Sequence, residues 1–293
     1  MNARQWGILL LLGLLWGGSF FFGAVAVKEI APLTLVFFRV GLAAVTLLAL
    51  MAARGISLAP ALPYWAAFLG LALLNNIIPH SLMFAGQTEI GSGLASLLNA
   101  TTPFWTVILA NAMTSDEKLT APKLLGIGLG IVGTAVMVGP GLVSGLGGAA
   151  WAKMALIGTS ISYAFAAIFA RRFRRLPAHL VATGQLTAST VIMLPVMLAT
   201  GGLAGLGAVG MPVWAAVAAL AIVSTAFAYI LFFAIIGSAG ATNASLVTLI
   251  VPAAAIALGA VFLGERLELF ELAGMALIAL GLVTIDGRLL RRR

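Results

Sequence analysis

Residues 62–76 read LPYWAAFLGLALLNN, and 149 positions further on residues 211–225 read MPVWAAVAALAIVST. The offset holds without a gap from Pro63 and Pro212 to Pro103 and Pro252, taking in ASLLNATTP (95–103) and ASLVTLIVP (244–252). Upstream, Gly13 matches Gly158, Pro32 matches Pro177 and Leu35-Val36 match Leu180-Val181, all at an offset of 145. Downstream, EKLTAPKLLG (117–126) meets ERLELFELAG (265–274), and Gly133 lies over Gly281. Chance similarity between apolar segments explains scattered Leu and Ala matches, but not Pro and Trp recurring at fixed offsets. The chain is therefore two copies of one unit.

The units are built for hydrocarbon. Of 293 residues, 62% are hydrophobic and 8% charged, and the mean hydropathy is +1.16; soluble domains carry about 25% charged residues. Cysteine is absent, which excludes a disulfide framework, a thiolate metal site and a cysteine nucleophile. A spanning helix needs about 20 apolar residues. Cutting the chain at charges and Pro/Gly clusters gives ten helices, with cores at 6–27, 33–53, 62–84, 91–113, 121–139, 151–170, 179–200, 212–234, 241–263 and 269–286. The expected organisation is a first five-helix repeat over 1–140, a Gly-rich connection at 141–150, and a second repeat over 151–293 with a basic tail. Five is odd, so the second copy enters the membrane from the opposite side. Inverted repeats of this kind surround a central substrate site in alternating-access carriers. Residues 1–27 have a partner in mid-chain, so they read as the first helix of the mature protein and not as a signal peptide.

Orientation follows from basic residues in short loops. On the side of the N-terminus lie Arg4, Arg54, Lys118, Lys123, Arg171, Arg172, Arg174, Arg175, Arg288 and Arg291 to Arg293; the other side holds Lys28, Lys153 and Arg266. Both termini are expected in the cytoplasm, in a multi-pass protein of the inner (plasma) membrane. The same clusters account for the formal charge of +8 by anchoring loops at anionic headgroups. No basic stripe interleaved with aromatics indicates nucleic acid.

WGGSFF (16–21), the Pro32 to Arg39 spacing, the Ala-Ser-Leu…Pro pattern in helices four and nine, and LGERL (263–267) followed by Gly274 and Gly281 carry a resemblance. Together they resemble EamA-type members of the drug/metabolite transporter superfamily, and within it the YddG-like exporters of amino acids. The resemblance covers nearly the whole chain. It implies ten helices in two inverted repeats, a cavity lined by helices one, three, four, six, eight and nine, peripheral helices five and ten, and transport outward from the cytoplasm. The glycines Gly126, Gly130, Gly133, Gly274 and Gly281 then read as close helix packing.

Every Asp and Glu falls at or near a helix end. Cation and proton exchangers commonly use a buried carboxylate as the shared site, so a cationic-drug/proton antiporter is disfavoured; where small multidrug exporters carry a helix-one glutamate, this chain has Trp16-Gly17-Gly18-Ser19. On helix three, Asn76, His80 and Phe84 share a face at four-residue spacing, and their repeat mates are Thr225, Tyr229 and Phe233. Asn99 and Thr102 with Ser245 and Thr248 form a second symmetric pair. With Trp16, Ser19 and Tyr163 they are the candidate substrate-binding residues; the alternative for each hydroxyl or amide is a bond between helices. Asn75 is expected to bind a neighbouring helix. His80 is the group whose charge could change near neutral pH, or else it donates to a carbonyl freed by Pro79. Arg39 is expected to snorkel or pair within the bundle. Pro103 and Pro252, matched across the repeats, are candidate hinges or static kinks.

A pocket of amides, hydroxyls, aromatics and one imidazole suits amino acids, such as threonine or methionine, and similar neutral metabolites. The alternatives are export of drugs, nucleosides or sugars, or a channel. A hydrolase would need a positioned nucleophile and base; only His80 and His179 are available, the latter at a helix end, and no convincing nucleophile turn accompanies either. No cofactor or metal is expected, a monomer suffices, and the partners are a small-molecule substrate and the bilayer.

Overall fold

The computed structural model describes residues 2–114, 119–139, 149–239 and 247–286. The basic tail beyond Asp286, most of the 141–150 connection and Ser245 lie outside them. The described residues form ten helical segments: α1 (Ala3–Ala26), α2 (Pro32–Ala53), α3 (Ala59–Gly86), α4 (Ser92–Met113), α5 (Ala121–Val138), α6 (Ala149–Phe173), α7 (Ala178–Ala199), α8 (residues 211–239), α9 (Val247–Leu263) and α10 (Leu269–Asp286). Among them, α1 to α8 are long and apolar enough to cross a membrane, and α9 and α10 contain shorter apolar helices. Large apolar side chains stand exposed around the outside, Leu198 at 65%, Val261 at 74% and Leu269 at 85%, which is the surface that lipid would cover.

Local sequence sets the ends and breaks. Asn2 and Gln5 form a reciprocal capping box on α1, which satisfies two orphan amides. Pro32 opens α2 at a position where the missing N–H costs nothing. The helix in α4 stops at Asn99 and resumes at Thr102, beside Pro103. Pro252, its repeat mate, sits inside the continuous α9, so the symmetric prolines have asymmetric effects.

Two segments depart from the α-helix. Leu73–Ile77 in α3 and Ala219–Phe227 in α8 are π-helical, and moving the first by the repeat offset of 149 places it inside the second. In α3 the Ile78 N–H bonds to Leu73 O. The next donor in that pattern would be Pro79, which has none. The Leu74 carbonyl is instead filled by the Ser162 hydroxyl of α6 at 2.7 Å.

The repeats are packed across one another. α1 of the first lies against α8 and α9 of the second, α6 of the second against α3 and α4 of the first, α2 against α7, and α5 against α10. A two-fold relation between the copies exchanges these contacts. It is plainest between α5 and α10: a methyl group on Gly126 would stand 2.6 Å from Gly281 O, and one on Gly133 would stand 2.8 Å from Gly274 O. Gly126 and Gly274 are repeat mates, as are Gly133 and Gly281. Lipid gives no hydrophobic drive for two apolar helices to associate, so close backbone approach through small residues supplies it. At one end of the molecule Gly264 takes φ +68°, open to glycine without strain. Beyond it, Glu265 accepts from Ser92 N at 2.7 Å, Gly93 N at 3.0 Å and Ser92 Oγ at 2.9 Å, capping α4 from the other repeat.

Replacing Gly133 or Gly281 with Leu is expected to lower the thermal midpoint of the detergent-purified protein, by an overpacking cost of about 1–3 kcal/mol. Gly128, with nothing within 4 Å of an added methyl, is the control: Gly128→Leu should leave the midpoint in place.

Candidate functional site

Between the repeats lies a cavity of about 550 Å³. α1 contributes Trp16 and Ser19, α2 contributes Arg39, and α3 contributes Asn75 and His80. From α4 come Ser96, Asn99, Thr102, Pro103 and Thr106, and from α6 Tyr163. α8 adds Ser224, Thr225 and Tyr229, and α9 adds Thr248 and Pro252. The break in α4 is what turns Asn99 and Thr102 toward the space; the carbonyls of Leu98 and Asn99 beside it accept from Thr101 Oγ1 and Thr102 Oγ1, each at 2.7 Å, and lie 3.0 and 3.3 Å from the Ser160 hydroxyl of α6.

The fold thus gathers Trp16, Ser19, His80, Asn99, Thr102, Tyr163, Tyr229 and Thr248, with Pro103 and Pro252, around one space. Asn76 is a correction. It is 1% exposed, is not among the lining residues, and its amide donates to Ser189 Oγ of α7 at 2.9 Å. Asn75 lines the cavity, the place expected of Asn76, and also binds a neighbouring helix as expected of it, donating to Gln185 Oε1 of α7 at 2.9 Å, while Gln185 Nε2 donates to Tyr229 OH at 3.2 Å. The reason is the π turn. An i→i+5 turn carries an extra residue, so counting back one turn from His80 arrives at Asn75 instead of Asn76. The side chain of Phe233, like Ser245, lies outside the described residues.

His80 is 4% exposed, between Phe84 and Tyr163 at ring-centroid distances of 6.2 and 6.3 Å. Its Nδ1 has no hydrogen-bond partner among the described residues, and the carbonyl freed by Pro79 is held by Ser162. Arg39 does not snorkel. It is 7% exposed, because α2 is packed against α3, α7 and α8 and this face points inward. Its Nε donates to Thr225 Oγ1 at 3.2 Å, its guanidinium carbon lies 5.7 Å from the centre of the Phe84 ring, and Nη1 has no partner among the described residues.

None of the described lining residues is Asp or Glu. A buried ion pair, Lys153 to Glu271 at 3.3 Å, joins α6 to α10, and Lys153 also donates to Met137 O of α5 at 2.9 Å. Among the described residues no group of His, Asp or Glu could hold a metal ion. The lining residues that sequence reasoning set aside or passed over are Arg39, Asn75, Ser96, Thr106 and Ser224. Ser224 had a readable signal, since it adjoins Thr225 in the segment that repeats LLNN.

A cavity between the halves of a repeat-built apolar helical bundle is the architecture of a membrane transporter. The EamA-like transporter family model matches residues 5–139 and again 150–285, and the chain belongs to that family. It is a multi-pass inner-membrane transporter and not an enzyme. It is similar to the protein named "Uncharacterized inner membrane transporter YedA" of Escherichia coli (strain K12), 28% identical over 295 residues covering 97% of this chain and 92% of the relative. It is also similar to the "Probable amino-acid metabolite efflux pump" of Salmonella typhimurium, 27% identical over 302 residues covering 100% and 98%. A solved crystal structure shares the fold over the whole of both chains, with a TM-score of 0.67 at 21% identity.

The exchange of roles between the adjacent asparagines is testable with two alanine variants. Asn76→Ala should lower thermal stability, losing an interhelical bond that averages about 0.6 kcal/mol in bilayers, and leave transport near wild type. Asn75→Ala should change transport by releasing Gln185 and Tyr229. Equal transport defects in both would contradict the placement.

Proposed function

We propose that the protein exports amino acids and similar small metabolites from the cytoplasm by alternating access. The observation that carries this reading is the cavity between the repeats, lined by hydroxyls, amides, aromatic rings, an imidazole and the Arg39 guanidinium, with no described carboxylate. Such a lining can hydrogen-bond a small polar solute and gives a cationic drug no fixed counter-charge. The name of the Salmonella typhimurium relative points the same way. In this reading ten spans form two inverted repeats, 1–140 and 151–293, with both termini cytoplasmic. Trp16, Ser19, His80, Asn99, Thr102, Tyr163, Tyr229 and Thr248 contact the cargo, joined by Asn75.

Alternating access requires one half to rock against the other around this space. Pro103, where α4 is broken, is the stronger hinge candidate; Pro252 lies in an unbroken run of helix.

The test is counterflow. Proteoliposomes preloaded with unlabelled threonine or methionine should take up the labelled amino acid in a saturable way, and His80→Ala should weaken that uptake. No exchange from folded protein would remove amino acids as cargo, and uptake without saturation or counterflow would mean a channel.

A further inference from the structure

The guanidinium of Arg39 is an uncompensated charge. It is buried within the bundle, it borders the cavity, and among the described residues no carboxylate pairs with it. One of its nitrogens is held by Thr225, whose own proton is committed to Leu220 O at 2.8 Å. The Thr225 oxygen is therefore an acceptor that fixes the guanidinium, leaving Nη1 without a partner among the described residues. Two donor-capable groups of the same cavity are likewise unpartnered, His80 Nδ1 and Ser224 Oγ. Burying a charge without a partner is costly, and buried charges in membrane proteins find a counter-ion or a ligand. A planar, permanently charged guanidinium recognises carboxylates through directed N–H bonds.

We propose that Arg39 is the carboxylate-recognition residue of the cavity and that the cargo class is the small monocarboxylate, with 2-oxo and 2-hydroxy acids accepted as well as amino acids. This rests on the reading of the cavity as the transport site and deepens it. A zwitterion brings a carboxylate to Arg39 but also an ammonium group, for which the described lining offers no carboxylate. Neutral acceptors remain, including the unpartnered Asn99 Oδ1. A 2-oxo acid brings the carboxylate alone and neutralises the cavity. Affinity is thus set by the carboxylate, and the 2-substituent is tolerated within the neutral part of the lining.

The test uses three probes of one skeleton: methionine, 4-methylthio-2-oxobutanoate, which lacks the ammonium group, and methioninamide, which lacks the carboxylate. Each is titrated into the purified protein with tryptophan fluorescence as the readout, since Trp16 lines the cavity, and sodium chloride serves as the inorganic-anion control. Both acids should bind and methioninamide should be at least about tenfold weaker. Arg39→Gln should weaken both acids at least about tenfold, with Arg39→Lys recovering part of the loss.

Methioninamide binding as tightly as methionine, chloride matching the acids, none of the three probes binding, or a folded Arg39→Gln variant with unchanged acid affinities would each overturn the proposal. The wild-type series decides even where a variant does not fold. Counterflow of methionine unaffected by Arg39→Gln would leave the export reading standing without the carboxylate assignment. Arg39-dependent binding of the oxo acid without methionine counterflow would do the reverse.

Discussion

Hydrocarbon offers no hydrogen bonds, so every backbone carbonyl that a proline or a π turn releases inside the bundle needs a donor from the protein itself. α6 fills one such carbonyl, Leu74 O, and brings further hydroxyls against the broken helices of the other repeat. Within four residues, Thr159, Ser160 and Ser162 reach Pro79 O, the carbonyls of Leu98 and Asn99, and Leu74 O. The irregular backbone of α3 and α4 is where His80, Asn75, Asn99 and Thr102 acquire their directions, and three hydroxyls of α6 hold it. The repeat equivalents on α1 at an offset of 145 are Leu14, Leu15 and Gly17, which have no hydroxyl to give. There the device is different: a methyl on Gly17 would lie 2.8 Å from Val251 O, so α1 approaches α9 by having no side chain at the crossing. The two copies keep the arrangement of the duplicated unit and hold it by different chemistry.

This division shapes the cavity. The first repeat carries most of its distinctive polar groups, together with the cation of α2, while the second supplies Tyr229, Thr225 and the hydroxyls that brace its partner. Polar contacts between the copies run through α7 as well: Gln185 bridges Asn75 and Tyr229, and Ser189 takes Asn76. A neutral, bonded frame around one charged group gives strong directionality, because the charge acts in surroundings that screen it little.

The fold was legible in the sequence because its signals are those of residue type. Prolines, tryptophans and glycines at fixed offsets mark a duplicated unit, and the Gly126, Gly133, Gly274, Gly281 set pairs as close packing would require. Much of the cavity lining was legible too, since neutral polar residues in a chain this apolar have few other uses. Asn75 and Asn76 were exchanged for a definite reason: face counting assumes the α-helical turn, and the π segment Leu73–Ile77 adds a residue that the letters do not announce. For Arg39 the sequence left two readings, reaching for water or pairing within the bundle, and it is the second that its bond to Thr225 follows. Its inward position depends on which face of α2 meets α8, a fact of packing and not of composition. Pro103 and Pro252 looked equivalent by symmetry, and only their surroundings separate a helix break from a residue within a run.

Glu265 has a consequence for the motion of the whole. Its carboxylate occupies two backbone amides and a hydroxyl at the start of α4, and the cavity follows α4 from Ser96 to Val107, farther along the same helix. Parting the two halves at this end would strip an anion from the positive pole of a helix, leaving its first amides to find other acceptors. The equilibrium between the arrangement seen here and one opened at that end is therefore governed by whatever takes the carboxylate's place, water or another anion.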